Sequence, residues 1–372
     1  MVIWVKELSG KLTVGRIRIW IKDYIPVKRI DFSSVCDKDY VFVSKDDRTI
    51  DNEIQIGKIL VYEELFNVFF PRILQEINYN YDYYFLKNAL NKAKNESVDT
   101  IITGSSYGLF AINGKELSGA VNLSLPSQDL YYAYAGIKDV CLVNRNIKNI
   151  VLCCSYYYFF CDLSKSKSDD ELSRISKVYY PMFYDMHNAM YLLPKINLLF
   201  VSEIFDFERI TDLYSLAEYE RTYFNEDRPR YGFAIKLWND KSKRWAQLTK
   251  EEKSEAGKNR ALTHNKVGRY WKTLSDNQEI FMQLVNFCLD NNINLIILVT
   301  PISKYYRVAS LELFKDVFYN NLNNADGIIH LIDLYADESF SDDDYNDMDH
   351  LSENGANKVT SILNEAIKQI NN

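Results

Sequence analysis

The chain has 372 residues, 47% of them hydrophobic and 26% charged, with a formal net charge of −7. That length allows two domains, or one large domain carrying an insertion, and the composition is that of an ordinary globular protein. The acidic balance, without a concentrated basic stripe, argues against a nucleic-acid binder, and no run approaches the ~18 apolar residues of a membrane span.

The first residues, MVIWVKELSGKLTVGRIRIW, alternate apolar and polar positions as strands do. They lack the unbroken apolar core and small-residue cleavage site of a signal peptide, so a cytoplasmic protein is expected. The cysteines agree: Cys36, Cys141, Cys153, Cys154, Cys161 and Cys288 lie mostly within apolar runs and form no C-x-x-C pair. They read as small buried hydrophobes rather than as disulfides or metal ligands.

Residues 1–62 read as short strands with little helix, a small Rossmann-like or accessory subdomain. DYVFVS (39–44) predicts a buried strand, KDDRTIDNEIQIG a short helix closed by Gly57, and KILVY another strand. This strand–helix–strand unit suits half of a small nucleotide-binding domain, but no G-x-G-x-x-G follows its first strand, so it offers no phosphate cradle. Residues 63–97 turn to helical spacing and read as a connector, with Pro71 expected to kink or split the first helix.

From residue 98 onward the pattern alternates. Strands are expected at 98–104, 119–125, 147–160, 293–301 and 327–334, with helices at 127–146, 274–291, 305–322 and 351–370. The run 147–160 is apolar throughout and predicts a central strand of a parallel sheet. Five strands alternating with helices specify a doubly wound α/β domain over 98–372. A polar interruption at about 162–272 follows the third strand, at the sheet edge where α/β proteins bind ligands, and is expected to shape a substrate site.

The last predicted helix is preceded by DMDHLSENGA, Asp347 to Ala356. Acids there complement the helix dipole, and Ser352 or Asp349 would cap it. An Asp-x-x-His pair is also what a serine needs to become a nucleophile. The first strand of the α/β block supplies that serine in TGSSYG, at the carboxyl edge of the sheet. There a backbone N–H is free to stabilise an oxyanion, and the last helix returns Asp347 and His350 to the same edge. GSSYG also fits the G-x-S-x-G elbow of α/β-hydrolases. That fold needs several strands before the serine, and an acid far upstream of its histidine.

GSSYG, NLSLPS (Asn122 to Ser127) and DMDHLSENGA together resemble the blocks of the SGNH/GDSL hydrolase superfamily, over about 98–160 and 273–370. With the VTP…Y strand end they are similar to bacterial members associated with surface polysaccharides. The resemblance implies a flavodoxin-like three-layer fold with Ser106 as nucleophile, Asp347 and His350 as its partners, and Ser105 where the family has aspartate. The backbone N–H groups of Ser106 and Ser127 would be oxyanion donors, Ser127 standing where the family has glycine. The third-block asparagine is missing near the end of VLCCSYYYFF, which leaves Ser155 or Tyr156 as replacements. Loss of one such donor typically costs about 10²–10³ in rate.

The implied function is a serine esterase or O-acyltransferase acting through an acyl-serine on an ester of a carbohydrate or cell-surface polysaccharide precursor. It needs no cofactor and no metal, and a homo-oligomer is left open. The alternative is a catalytically inactive binding or assembly module that has kept the fold. Ser105, Asn122, His187 and His264 are the candidate substrate contacts. His330 reads as a core histidine and Asp333 as structural. The acids of 337–349 lack the spacing of a calcium loop and read as a solvated loop.

Overall fold

The computed structural model describes residues 81–114, 116–192, 244–325 and 329–371, together with six short strands within 1–61. The chain divides into two units, Met1–Tyr81 with Ala189–Thr222, and Asp82–Asn188 with Tyr223–Asn372. The division at 81/82 falls inside the stretch read as a connector. Helix α1 (Tyr81–Ala93) buries Leu86, Leu90 and Ala93.

In the first unit, β1 (Ile3–Lys6), β4 (Tyr24–Val27), β5 (Tyr40–Val43) and β6 (Ile59–Val61) form a parallel sheet of order β4-β1-β5-β6. Strands β2 (Lys11–Val14) and β3 (Ile17–Trp20) pair antiparallel. Parallel neighbours need a crossover, as the strand–helix–strand pattern of 39–62 requires. The helix expected between β5 and β6, Cys36 and Pro71 lie outside the described residues.

The second unit is an α/β domain on a five-stranded, all-parallel sheet of order β11-β10-β9-β7-β8. The strands are β7 (Thr100–Gly104), β8 (Ala120–Asn122), β9 (Asn149–Cys154), β10 (Asn294–Val299) and β11 (Ile329–Asp333). Every residue of β7 and β9 is buried. Since alternate side chains point to opposite faces, both faces of the sheet must be covered, as in a three-layer α/β fold. Among the helices, α2 (Ser106–Ala111) packs against α10 (Glu353–Ile370), and α3 (Leu130–Cys141) against α7 (Trp271–Asp290). Ile102, Val151, Ile296 and Leu298 share a core with Val359 and Leu363 of α10. β7 lies between β8 and β9, so the winding of the chain reverses there, and the carboxyl ends of β7 and β9 flank the crevice that such a reversal leaves.

Several elements are shorter than their apolar patterns. The strand expected over 147–160 stops at Cys154, and Tyr158–Phe160 turn into a 3₁₀ helix with all three residues buried. The helix expected at 305–322 is two, α8 (Lys304–Arg307) and α9 (Glu312–Asn323). The described part of the interruption contains α4 (Asp169–Arg174), a π turn (Ile175–Tyr179), α5 (Tyr180–Phe183) and the long α6 (Lys250–Asn265). His330 is half-buried on β11, an edge strand, rather than in the core.

Candidate active site

Ser106 is held by a turn that only glycine can open. Gly104, the last residue of β7, has φ +132°, and a Cβ on it would lie 2.0 Å from the Cys153 carbonyl oxygen of β9. Gln128 grips the same strand end, accepting from Thr103 Oγ1 at 2.9 Å and Gly104 N at 3.0 Å. Ser105 is the N-cap of α2. Its Oγ accepts from Tyr107 N, and its carbonyl from Gly108 N and Leu109 N. Tyr107, Gly108 and Leu109 thus all direct their N–H groups to Ser105, and that of Ser106 is not spent on it. Asn122 locks α2 to the loop after β8, donating to the Gly108 carbonyl at 3.0 Å while accepting from Ser124 N. Ser105 and Asn122 therefore shape the turn beneath Ser106.

The partner segment is a closed loop before α10, outside the helix. Tyr345 and Leu351 form an antiparallel bridge, and the N–H groups of Asn346 and Asp347 donate to the His350 carbonyl. The helix begins at Glu353 with Ser352 as its N-cap, so the capping role belongs to Ser352 and not to Asp349. Asp347 Oδ1 accepts from both Asp349 N (3.0 Å) and His350 N (2.8 Å). His350 Nδ1 lies 3.1 Å from each oxygen of Asp347, and His350 Nε2 lies 2.9 Å from Ser106 Oγ. The ring packs on Tyr107 and Phe110, with centroids 5.7 and 4.8 Å away. Burial disfavours its charged form, but Asp347 and Asp349 outweigh that and raise its pKa above the usual imidazole value.

Behind this group lies a polar chain that runs from buried to half-buried residues. Asp349, 1% exposed, accepts from Tyr107 OH at 3.2 Å and from Arg260 Nε at 2.9 Å through Oδ2. Burial raises its carboxyl pKa, Asp347 adding to the shift while His350 and Arg260 oppose it. Tyr107 OH also meets Tyr157 OH at 2.9 Å, which is 3.4 Å from His264 Nε2, and His264 Nδ1 is 2.6 Å from Tyr306 OH. His264, expected as a substrate contact, is thus a half-buried member of this chain. Burial pushes its pKa far below the usual imidazole range, with Arg260 and His350 acting in the same direction, so the ring is neutral.

Helix α6 brings Arg260 and His264 here. It docks through one face at intervals of four residues. Lys253 pairs with Asp342 at 2.8 Å. Gly257 lets the backbone of Tyr305 approach so closely that a Cβ would sit 2.5 Å from its carbonyl carbon. Ala261 packs with Tyr107, Ile302 and Tyr306, and Asn265 Nδ2 donates to the Ala309 carbonyl at 2.7 Å.

The other expected residues fare differently. Ser127 has φ +56°, the left-handed conformation that favours glycine, the residue that the family resemblance puts there. Its Oγ donates to Glu171 at 3.2 Å. Ser155 is buried at the end of β9 with no hydrogen-bond partner for its hydroxyl. Tyr156 donates to Asp333 at 2.6 Å and packs on Tyr335 and Phe318, so its hydroxyl is committed elsewhere. Asp333 also accepts from Tyr319 OH and Tyr335 N, a structural role. His187 stacks on Tyr131 and faces Ser164 and Asp162, partners distinct from the triad. Beside it, Asp129 caps α3, and burial together with the charge of Asp162 raises its pKa to about 6.

The structure thus brings Ser106, Asp347 and His350 together, while Arg260, Asp349, Tyr107 and Gln128 were not singled out for the positions they have here. No helix among the described residues is long and apolar enough to cross a membrane. No protein-family model matches the chain, and neither does any curated protein sequence.

Proposed function

We propose that the protein is an SGNH-type serine hydrolase or acyltransferase acting on an acyl ester. The observation that carries this reading is the contact of His350 Nε2 with Ser106 Oγ at 2.9 Å, with Asp347 holding the opposite ring nitrogen. In the reaction, Ser106 Oγ attacks the acyl carbonyl as its proton passes to His350 Nε2. Asp347 keeps the Nδ1–H tautomer and stabilises the imidazolium. The N–H groups of Ser106 and Ser127 face the developing oxyanion. His350 then returns the proton to the leaving alcohol, and water or a second hydroxyl takes the acyl group from the serine. A carbohydrate or polysaccharide-precursor ester is the substrate class that the motif resemblance adds.

A second reading, a binding or assembly module without turnover, has its own observation. The residues that follow β9 offer no side-chain amide: Ser155 is buried and the Tyr156 hydroxyl is taken by Asp333.

Labelling by a fluorophosphonate probe decides between them. Under the hydrolase reading, wild type and Ser105→Ala label, while Ser106→Ala and His350→Ala do not. A folded wild type that takes no label favours the binding module.

A further inference from the structure

The Ser106 reading leaves one cation beside the triad without an assigned task. Among the described residues Arg260 is anchored by one hydrogen bond, Nε to Asp349 Oδ2 at 2.9 Å. A guanidinium carries five N–H donors in a rigid fork. Among the described residues no hydrogen bond reaches either terminal nitrogen of Arg260, and its side chain is 39% exposed where that of Asp349 is 1%. A cation present only to neutralise Asp349 would turn the paired edge of its fork to both carboxylate oxygens. Among the described residues Oδ1 of Asp349 is left without a hydrogen bond, and the Arg260 side chain keeps access to solvent.

The anchor also fixes where the fork stands. Asp349 touches Tyr107, the residue after the nucleophile, and its Oδ1 lies 3.6 Å from His350 Nδ1. Helix α6 is held in place by Gly257 against Tyr305, one turn before Arg260. A partly dehydrated guanidinium whose two terminal nitrogens make no hydrogen bond among the described residues matches carboxylate and phosphate oxygens bidentately.

We propose that Arg260 is the recognition point for an anionic group, a carboxylate or a phosphate, carried by the acyl ester close to its scissile bond. This rests on Ser106 being the nucleophile, and it narrows the substrate to charged esters.

Two measurements on the full chain test it. The first compares kcat/KM for p-nitrophenyl butyrate and p-nitrophenyl hemisuccinate, which differ by one terminal carboxylate. Arg260→Met is expected to lower the ratio of anionic to neutral ester by about tenfold or more, with Arg260→Lys restoring part of it. An unchanged ratio overturns the proposal. The double variant Arg260→Met/Asp349→Asn removes the charge left unpaired in the single one, so a loss of folding in Arg260→Met does not obscure the result: the same lowered ratio is expected, and a wild-type ratio overturns.

The second measurement is calorimetric binding of inorganic phosphate and of succinate to wild type, Ser106→Ala and Arg260→Met. Saturable binding that Ser106→Ala keeps and Arg260→Met loses is expected, and the tighter of the two anions names the group. If wild type takes no fluorophosphonate label and cleaves neither ester, the nucleophile reading falls. The calorimetry then decides the anion site alone, and absence of saturable binding to wild type overturns it.

Discussion

Asp349 and His350 are neighbours in sequence and also in charge: the buried Oδ1 of Asp349, without a hydrogen bond, lies 3.6 Å from His350 Nδ1. Asp347 meets the same nitrogen with both oxygens at 3.1 Å. The imidazole is therefore set between two carboxylates of unequal function, one that orients it and one that only biases its charge. Asp347→Asn removes the orienting acid and the tautomer preference, and labelling at Ser106 is expected to slow on the order of 10³-fold. Rates of fluorophosphonate labelling under pseudo-first-order conditions measure this, and a loss within about threefold of wild type would remove Asp347 from the triad.

The pH profile follows from the same arrangement. In the proposed mechanism His350 serves as base only when neutral, and its pKa is raised, so labelling is expected to climb with pH through a midpoint above the ordinary histidine value of about 6.5. Asp349→Asn takes away a negative charge that favours the protonated ring and leaves Arg260 uncompensated. Both changes lower the His350 pKa, so the midpoint moves down. A midpoint that stays put in Asp349→Asn would show that the second carboxylate does not act on the base.

Ser105 and Ser106 separate a structural role from a chemical one at adjacent positions. Ser105→Ala loses the cap on Tyr107 N and is expected to cost about 1 kcal/mol of stability while labelling persists. Chemical denaturation gives the first quantity and the probe the second. Complete loss of label in a folded Ser105→Ala would mean that the nucleophile had been misassigned between them.

Gly257→Ala tests the seating of α6. The added methyl meets the Tyr305 backbone at 2.5 Å, and backbone cannot yield as a flexible side chain does. A loss of roughly 1–3 kcal/mol is expected, seen as a lower thermal midpoint. Labelling is expected to fall with it, since Arg260 moves with the helix and its bond to Asp349 is disturbed. An unaltered midpoint would mean that α6 sits farther from α8 than described.

The α/β sheet was legible because each strand is an apolar run bounded by turn residues, and β9 lies centrally as its composition predicts. The over-long expectation for 147–160 shows the limit of that signal. Burial continues past Cys154, but the chain has already turned into a 3₁₀ helix, and hydrophobicity alone does not separate the two. The grouping of Ser106, Asp347 and His350 was legible because each half is a compact motif at the edge of the sheet. Arg260 was not, because α6 docks through Lys253, Gly257, Ala261 and Asn265, a face of small and polar residues that carries no apolar periodicity. The i, i+4 recurrence of Gly257 and Ala261 is the one trace of it in the sequence. Nor does sequence reveal that Tyr156 is spoken for, since its partner Asp333 lies 177 residues away.

The loop from Tyr345 to Leu351 is cross-linked at its neck and internally by the Asp347 carboxylate. Asp347 and His350 consequently travel as one rigid cassette, with their mutual geometry written into seven consecutive residues. What tertiary folding must still supply is a single gap, the one between that cassette and the tip of β7, across 244 residues of chain. The machinery thus has one adjustable joint, and a shift of the cassette by the width of a water molecule would uncouple it with every local contact intact.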